Sequence, residues 1–283
     1  MGSFPFNELP IELQREIFVV AAKRNQGSAL QLVLVAKRVH SWVQPTIYEI
    51  VALGSNDTHL FLRTINSLPA EFFTIHVKKL CLSVSVSARN AVKVLSICKG
   101  VTDLAFWVDY LGVQGFRTGT ITSLISSLPL RRLSIELEHF LSLFPDPNIH
   151  HVWDDSITHL DLIFWTRQTA PVIPPLAKLS NLTHLALRLS HNQPTEASLR
   201  AILSGCRRLK VLVIFDDPET CDETAWSADP RVVYMPYPQN IVGEWEAQAR
   251  DDLLNGWSRA EDLVRRHTAE SERSTTTSTA STE

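Results

Sequence analysis

Long apolar runs are missing from this chain. Nowhere in its 283 residues do roughly 18 apolar side chains follow one another, the length a helix needs to cross a bilayer. No membrane partner is expected. An excess of cationic charge is missing too: 27 Lys and Arg stand against 30 Asp and Glu, a formal net charge of -3. That removes the broad basic footprint that phosphate contacts demand, so no nucleic-acid partner is expected. Cysteine is scarce, and Cys81, Cys98, Cys206 and Cys221 lie too far apart for a disulfide framework or a close ligand pair. They read as reduced thiols. The opening residues carry no basic stretch leading into an apolar core, and Phe6 stands where a myristoylation signal on Gly2 wants Ser or Thr. A cytoplasmic or nuclear protein is expected.

Signatures of chemistry are equally thin. The chain contains no glycine-rich phosphate loop, no Gly-x-Ser-x-Gly elbow and no His-Glu-x-x-His. Gly112, Gly115 and Gly119 have loop spacing without a following basic residue. The densest polar cluster, His150, His151, Asp154, Asp155, His159 and Asp161, has the residue types of a metal site. Its spacing argues otherwise, because ligands must converge on one point and this run mixes a loop with outward positions of a strand. The expectation is no enzyme, no metal and no cofactor.

What is present is ordinary globular material, 45% hydrophobic and 20% charged, enough for a small domain plus a larger one. Residues 9 to 43 begin with Leu9 and Pro10, and the fixed φ of Pro10 suits the first position of a helix. Glu12 falls in the first turn, where a carboxylate favours the positive end of the helix dipole. Ile11, Leu13, Ile17, Phe18, Val20 and Ala21 spread well beyond one narrow stripe, so two faces are apolar. After a polar break at Lys23 to Gly27, Ser28 can cap a second short helix carrying Leu30, Leu32, Val33, Leu34 and Val35. A third follows, and Pro45 stops it. Three short helices of this length make too small a core to stand alone.

This stretch resembles the F-box, the adaptor-binding motif of cullin-type ubiquitin ligases. The likeness lies in Leu9-Pro10, Glu12-Leu13, Ile17-Phe18, Leu30 and Val35-Ala36-Lys37-Arg38; Val39 stands where the family usually has tryptophan, with Trp42 three residues on. The resemblance implies that Leu9, Pro10, Leu13, Ile17, Leu30 and Val35 dock on a Skp-type adaptor, and through it on a cullin. The rival reading is a helical cap whose apolar faces cover the domain behind it.

From residue 77 onward one pattern recurs: VKKLCL, VTDLAF, LRRLSI, ITHLDL, LTHLAL and LKVLVI. The central leucines, Leu80, Leu104, Leu133, Leu160, Leu185 and Leu212, are 24, 29, 27, 25 and 27 residues apart. Each leucine and the apolar residue two places on share one side of a strand. IYEIVAL at 47 to 53 is a candidate seventh strand, and 231 to 237 a last one. Ala91, Val94, Leu95 and Cys98 make a helical stripe between strands, as do Ile121, Leu124, Ile125 and Leu128, and Leu199, Ile202, Leu203 and Cys206. Cys98 and Cys206 hold the same place in their helices and are expected in the core. Strand, helix and parallel strand in alternation give a right-handed α/β solenoid in which each unit packs on its neighbours.

The period is similar to that of leucine-rich repeats. The asparagine ladder of that family is absent, its places held by Ser85, Asp109, Glu138, Trp165, Ser190 and Asp217. An F-box followed by degenerate leucine-rich repeats resembles the large families of such proteins in mushroom-forming fungi. The expected fold is thus α/β, a three-helix F-box-like module over 1–46 followed by a repeat solenoid with parallel strands over 47–216. A capping segment over 217–268 carries Trp245, Ala249, Leu253, Trp257 and Leu263 and is expected to cover Val211, Val213 and Phe215. The Ser/Thr-rich tail, 269–283, is expected to be disordered. Outward strand positions align into columns, and Trp107, Arg132, Trp165 and Arg188 are the candidate contacts to an unknown target protein, aromatic and arginine side chains dominating interface energy. The expected function is target recruitment to a ubiquitin ligase; the alternative is a leucine-rich-repeat interaction scaffold unrelated to ubiquitin.

Overall fold

The computed structural model describes residues 6–24, 26–146, 148–164, 174–189, 195–219, 221, 229–250 and 255–279, with the backbone alone for 26, 174, 175 and 271–279. Among these residues it is an α/β protein with 11 α-helices and one eight-stranded, all-parallel sheet.

Three helices open the chain: α1 (Ile11–Arg24), α2 (Gln26–Leu32) and α3 (Lys37–Ile47). Pro10 stands one residue before α1, and its carbonyl accepts from the amides of Leu13 and Gln14. Two boundaries differ from the sequence reading. Ser28 lies inside α2, which starts two residues earlier, and α3 runs through Pro45 to Ile47. Pro45 forgoes the hydrogen bond to the Ser41 carbonyl one turn back, a loss that usually ends a helix, yet α3 continues for two more residues. Ala22, Ala29, Val39 and Val43 form a small core of their own, with Phe18, Leu32, Trp42 and Ile47 around it. The three helices pack chiefly on one another.

The strands β1 (Ile50–Leu53), β2 (Lys79–Leu82), β3 (Asp103–Phe106), β4 (Arg132–Glu136), β5 (His159–Phe164), β6 (His184–Leu189), β7 (Val211–Asp216) and β8 (Val232–Pro236) lie side by side in chain order. Their register joins Val51, Leu80, Leu104, Leu133, Leu160, Leu185, Leu212 and Val232 into one row. The six recurring leucines are therefore true cross-strand neighbours. Between strands run α4 (Thr58–Ser67), α5 (Ala70–His76), α6 (Ala88–Ile97), α7 (Thr118–Ser126), α8 (Leu137–Ser142) and α9 (Glu196–Gly205). Ser87 and Thr195 cap α6 and α9 by accepting from Asn90 and Ser198 amides.

The main core lies on the leucine side of the sheet. It joins the leucine row to Phe73, Ala91, Val94, Leu95, Ile121, Ile125, Leu199 and Ile202 of the helices. Cys98 and Cys206 are buried there, each at the C-terminal end of its helix.

The opposite face of the sheet is also covered. After β8 come α10 (Ile241–Ala249) and α11 (Gly256–Thr279), started by Asn240 and Asn255, whose side-chain oxygens accept from the amides of Gly243 and Ser258. Trp257 and Ala260 of α11 close over Val211, Val213 and Phe215, as the sequence suggests for this segment. α10 reaches further, laying Trp245 and Ala249 against Cys81, Ala105, Trp107 and Ile163. Leu253 lies outside the described residues. The backbone of α11 continues as helix to Thr279, into the stretch expected to be disordered.

Candidate functional site

Two surfaces bear on function. The first is on the opening helices. Ile11, Leu13, Ile17, Val20, Leu30, Leu34 and Val35 are exposed, from 45% for Val20 to 82% for Leu34. Pro10 is exposed and Leu9 half-buried. The side chains that hold the module together, Ala22, Ala29, Val39 and Val43, are different ones. Gln14 is buried, and its Nε2 donates to the Leu9 carbonyl at 2.8 Å, which ties the leading Leu-Pro to the helix. Between α1 and α2 the surface dips into a groove floored by Ile17, Val20, Ala21 and Leu32, with Glu16 and Arg24 at its sides. The six candidate docking residues, Leu9, Pro10, Leu13, Ile17, Leu30 and Val35, thus sit on one small module. Ile11, Val20 and Leu34 extend the same apolar exposure. Their signal in the sequence is the spread of apolar side chains over both faces of α1.

No family model matches this chain, and no curated protein does. Its function must be read from the geometry.

The second surface is the strand face under α10 and α11. An open face lined by Trp107, Arg132, Trp165 and Arg188 is the sequence expectation, and the structure corrects it for Trp107 and Arg188. Trp107 is buried, its Nε1 donating to Ser134 Oγ at 3.0 Å. Ser134 Oγ in turn donates to Asp161 Oδ2 at 3.0 Å. Arg188 is 2% exposed; its Nε donates to both Asp161 oxygens, at 3.0 and 2.9 Å, and its Nη2 lies 2.9 Å from Glu244 Oε2 of α10. The guanidinium also stacks 4.1 Å from the Phe215 ring centre. Arg132 is half-buried beside Asp103 at 3.5 Å, and Trp165 lies outside the described residues.

The electrostatics of this buried face are uneven. Burial pulls the Arg188 guanidinium down, but Asp161 and Glu244 outweigh it and hold it above its ordinary value. Burial pushes the Glu244 carboxyl up, and Asp161 adds to that against the pull of Arg188. Two carboxylates share one cation, while Arg188 Nη1 has no hydrogen-bond partner among the described residues. Next to this network His159 and His184 stack with ring centres 4.1 Å apart, beneath the edge of Trp257. His184 Nε2 meets Glu261 Oε1 at 3.0 Å, and Lys79 Nζ donates to the Ala249 carbonyl at the end of α10. Burial, then the neighbouring His184 and Arg132, lowers His159 to about 2. Both rings are neutral near pH 7.

The His/Asp-rich run serves separate structural tasks. His151 stacks on Trp153 at 4.5 Å, Asp154 accepts the His151 amide at 2.9 Å, and Asp155 Oδ1 accepts from Ser180. Among the described residues no three His, Cys, Asp or Glu side chains converge as metal ligands would. None of their helices is long and apolar enough to cross a membrane.

Proposed function

We propose that this chain is a non-catalytic recruiting subunit of a Skp-cullin-F-box ubiquitin ligase. Its opening helices dock a Skp-type adaptor, and the repeat region behind them, a degenerate leucine-rich-repeat solenoid, holds a target protein. The mechanism is proximity: holding the target beside the ligase raises its effective concentration there. A protein with this role works in the cytoplasm or nucleus.

One observation carries the reading. Leu13, Ile17, Leu30 and Val35 are apolar, 46% to 61% exposed, and contribute nothing to the small core of their own helices. A patch of that kind marks a contact surface. The same side chains would be covered if the helices were a cap over the sheet. Support for the repeat region is the single row of six leucines in register.

The test is capture of the full chain by a purified Skp-type adaptor. Leu13→Asp with Val35→Asp should abolish capture and leave the free energy of urea unfolding within about 0.5 kcal/mol of the parent, as is usual for surface changes. Failure of the unaltered chain to bind would leave the scaffold reading, with no tie to ubiquitin.

A further inference from the structure

The C-terminal helices cover the face of the sheet opposite the leucine row. Three features of that contact set it apart from the main core. Its apolar clusters, Trp257 with Val213 and Phe215, and Trp245 with Cys81 and Trp107, are separate from the leucine-side core, which is complete without them. Its centre is charged: Arg188, Asp161 and Glu244 meet in one network. Desolvating such groups offsets most of their attraction, so the net hold of a buried ion pair is small. Finally, the match is incomplete, since Arg188 is almost wholly buried and its Nη1 has no hydrogen-bond partner among the described residues. Contacts of this mixed, polar-centred kind are typical of surfaces that separate.

We propose that α10 and α11 are a displaceable cover, and that the face beneath them binds an amphipathic helix presented by another protein. The incoming helix has the chemistry of the present occupant: a tryptophan anchor for the trough of Cys81, Ala105 and Ile163, and a carboxylate for Arg188. The opened face displays Trp107, Phe215 and Arg188, side chains of the types that dominate binding energy. Naming that helix as part of the recruited target rests on the reading above. The opening does not, and it is measured without any adaptor, so either idea can fail alone.

The thiols report the opening. Cys81 lies under α10, whereas Cys98 and Cys206 are sealed in the leucine-side core. The native full chain is treated with a small alkylating agent, and labelling is mapped peptide by peptide, each rate scaled to that thiol in urea. Cys81 should react at least about tenfold faster than Cys98 and Cys206, as expected when a segment opens below the global unfolding free energy. Glu244→Arg, which sets a like charge against Arg188, should raise the Cys81 rate about tenfold more and leave the other two unchanged. A synthetic peptide of residues 239–268, added to the Glu244→Arg chain, should slow Cys81 labelling toward the parent rate; the same peptide carrying Glu244→Arg should not. Equal scaled rates for the three thiols would overturn the cover, because α10 and α11 would then open only with the whole fold. Fast Cys81 labelling that the parent peptide leaves unchanged would overturn the docking surface.

Discussion

Gly100 marks a place where the backbone of one element meets that of another. A Cβ there would fall 1.9 Å from the Thr74 carbonyl oxygen of α5, and no flexible side chain stands between to give way. Gly100→Ala must push α5 away from the turn that leads into β3, and overpacking of this kind costs about 1–3 kcal/mol. Urea denaturation should show that loss in full; an unchanged midpoint would mean α5 shifts freely. The stacked histidines make a second residue-scale prediction. His159 is lowered to about 2 by burial, while in the unfolded chain it titrates near the ordinary 6.5. The folded state therefore refuses a proton that the unfolded state takes. The stability it contributes is present above pH 6.5 and is lost as pH falls toward the folded value. His159→Gln removes that proton, so between pH 6 and 4 the parent should lose stability more steeply than the variant. The difference in slope approaches about 1.4 kcal/mol per pH unit. Parallel slopes would show that His159 is already protonated in the folded chain. His184, lowered by burial although Glu261 opposes the shift, adds in the same direction.

At the scale of elements, the opening helices keep some apolar side chains in their own core and leave others exposed. Val43 is fully buried among Ala22, Ala29 and Val39, whereas Leu30 and Val35 face outward. Val43→Ala should cost on the order of 2 kcal/mol from lost burial and the small void left behind. Leu30→Ala should be close to neutral in the same thermal or urea measurement. A large loss at Leu30 would place it in the fold and not on a docking surface. Existence of these helices was legible from Pro10, Glu12 and the apolar spacing, but their ends were not. Ser28 has a capping side chain yet sits within α2, and Pro45 lies within α3, where Val43 and Ile47 on either side of it join the core of the three helices. The division of labour was not legible either. Apolar periodicity says that a side chain avoids water, without saying whether its own chain or another covers it.

Across the whole molecule, the leucine spacing foretold the sheet well. The strands are parallel and in chain order, and Leu80 to Leu212 stand in one row across them. The covered second face was harder to see, though its signal is in the sequence. Cys81, Ala105 and Ala186 are small and apolar at outward positions, and β7 reads as the continuous run Val211 to Phe215, as strands buried on both faces do. An amphipathic helix at the C-terminus shows that something is covered, and only the tertiary structure shows that α10 crosses back to β1 and β2. That return has a consequence for cooperativity. Each strand is hydrogen-bonded only to its neighbours in the sheet, and α10 ties the C-terminal part of the chain to the first strands. Trp245→Ala removes its buried anchor on that end while α11 keeps Trp257 against β7. Amide hydrogen exchange should then quicken by about tenfold or more in Ile50–Leu53 and Lys79–Leu82 and stay within about twofold in Val211–Asp216. Equal acceleration in all three strands would mean that the sheet opens as one cooperative body, with the crossing helix adding stability to the whole and not to the end it covers.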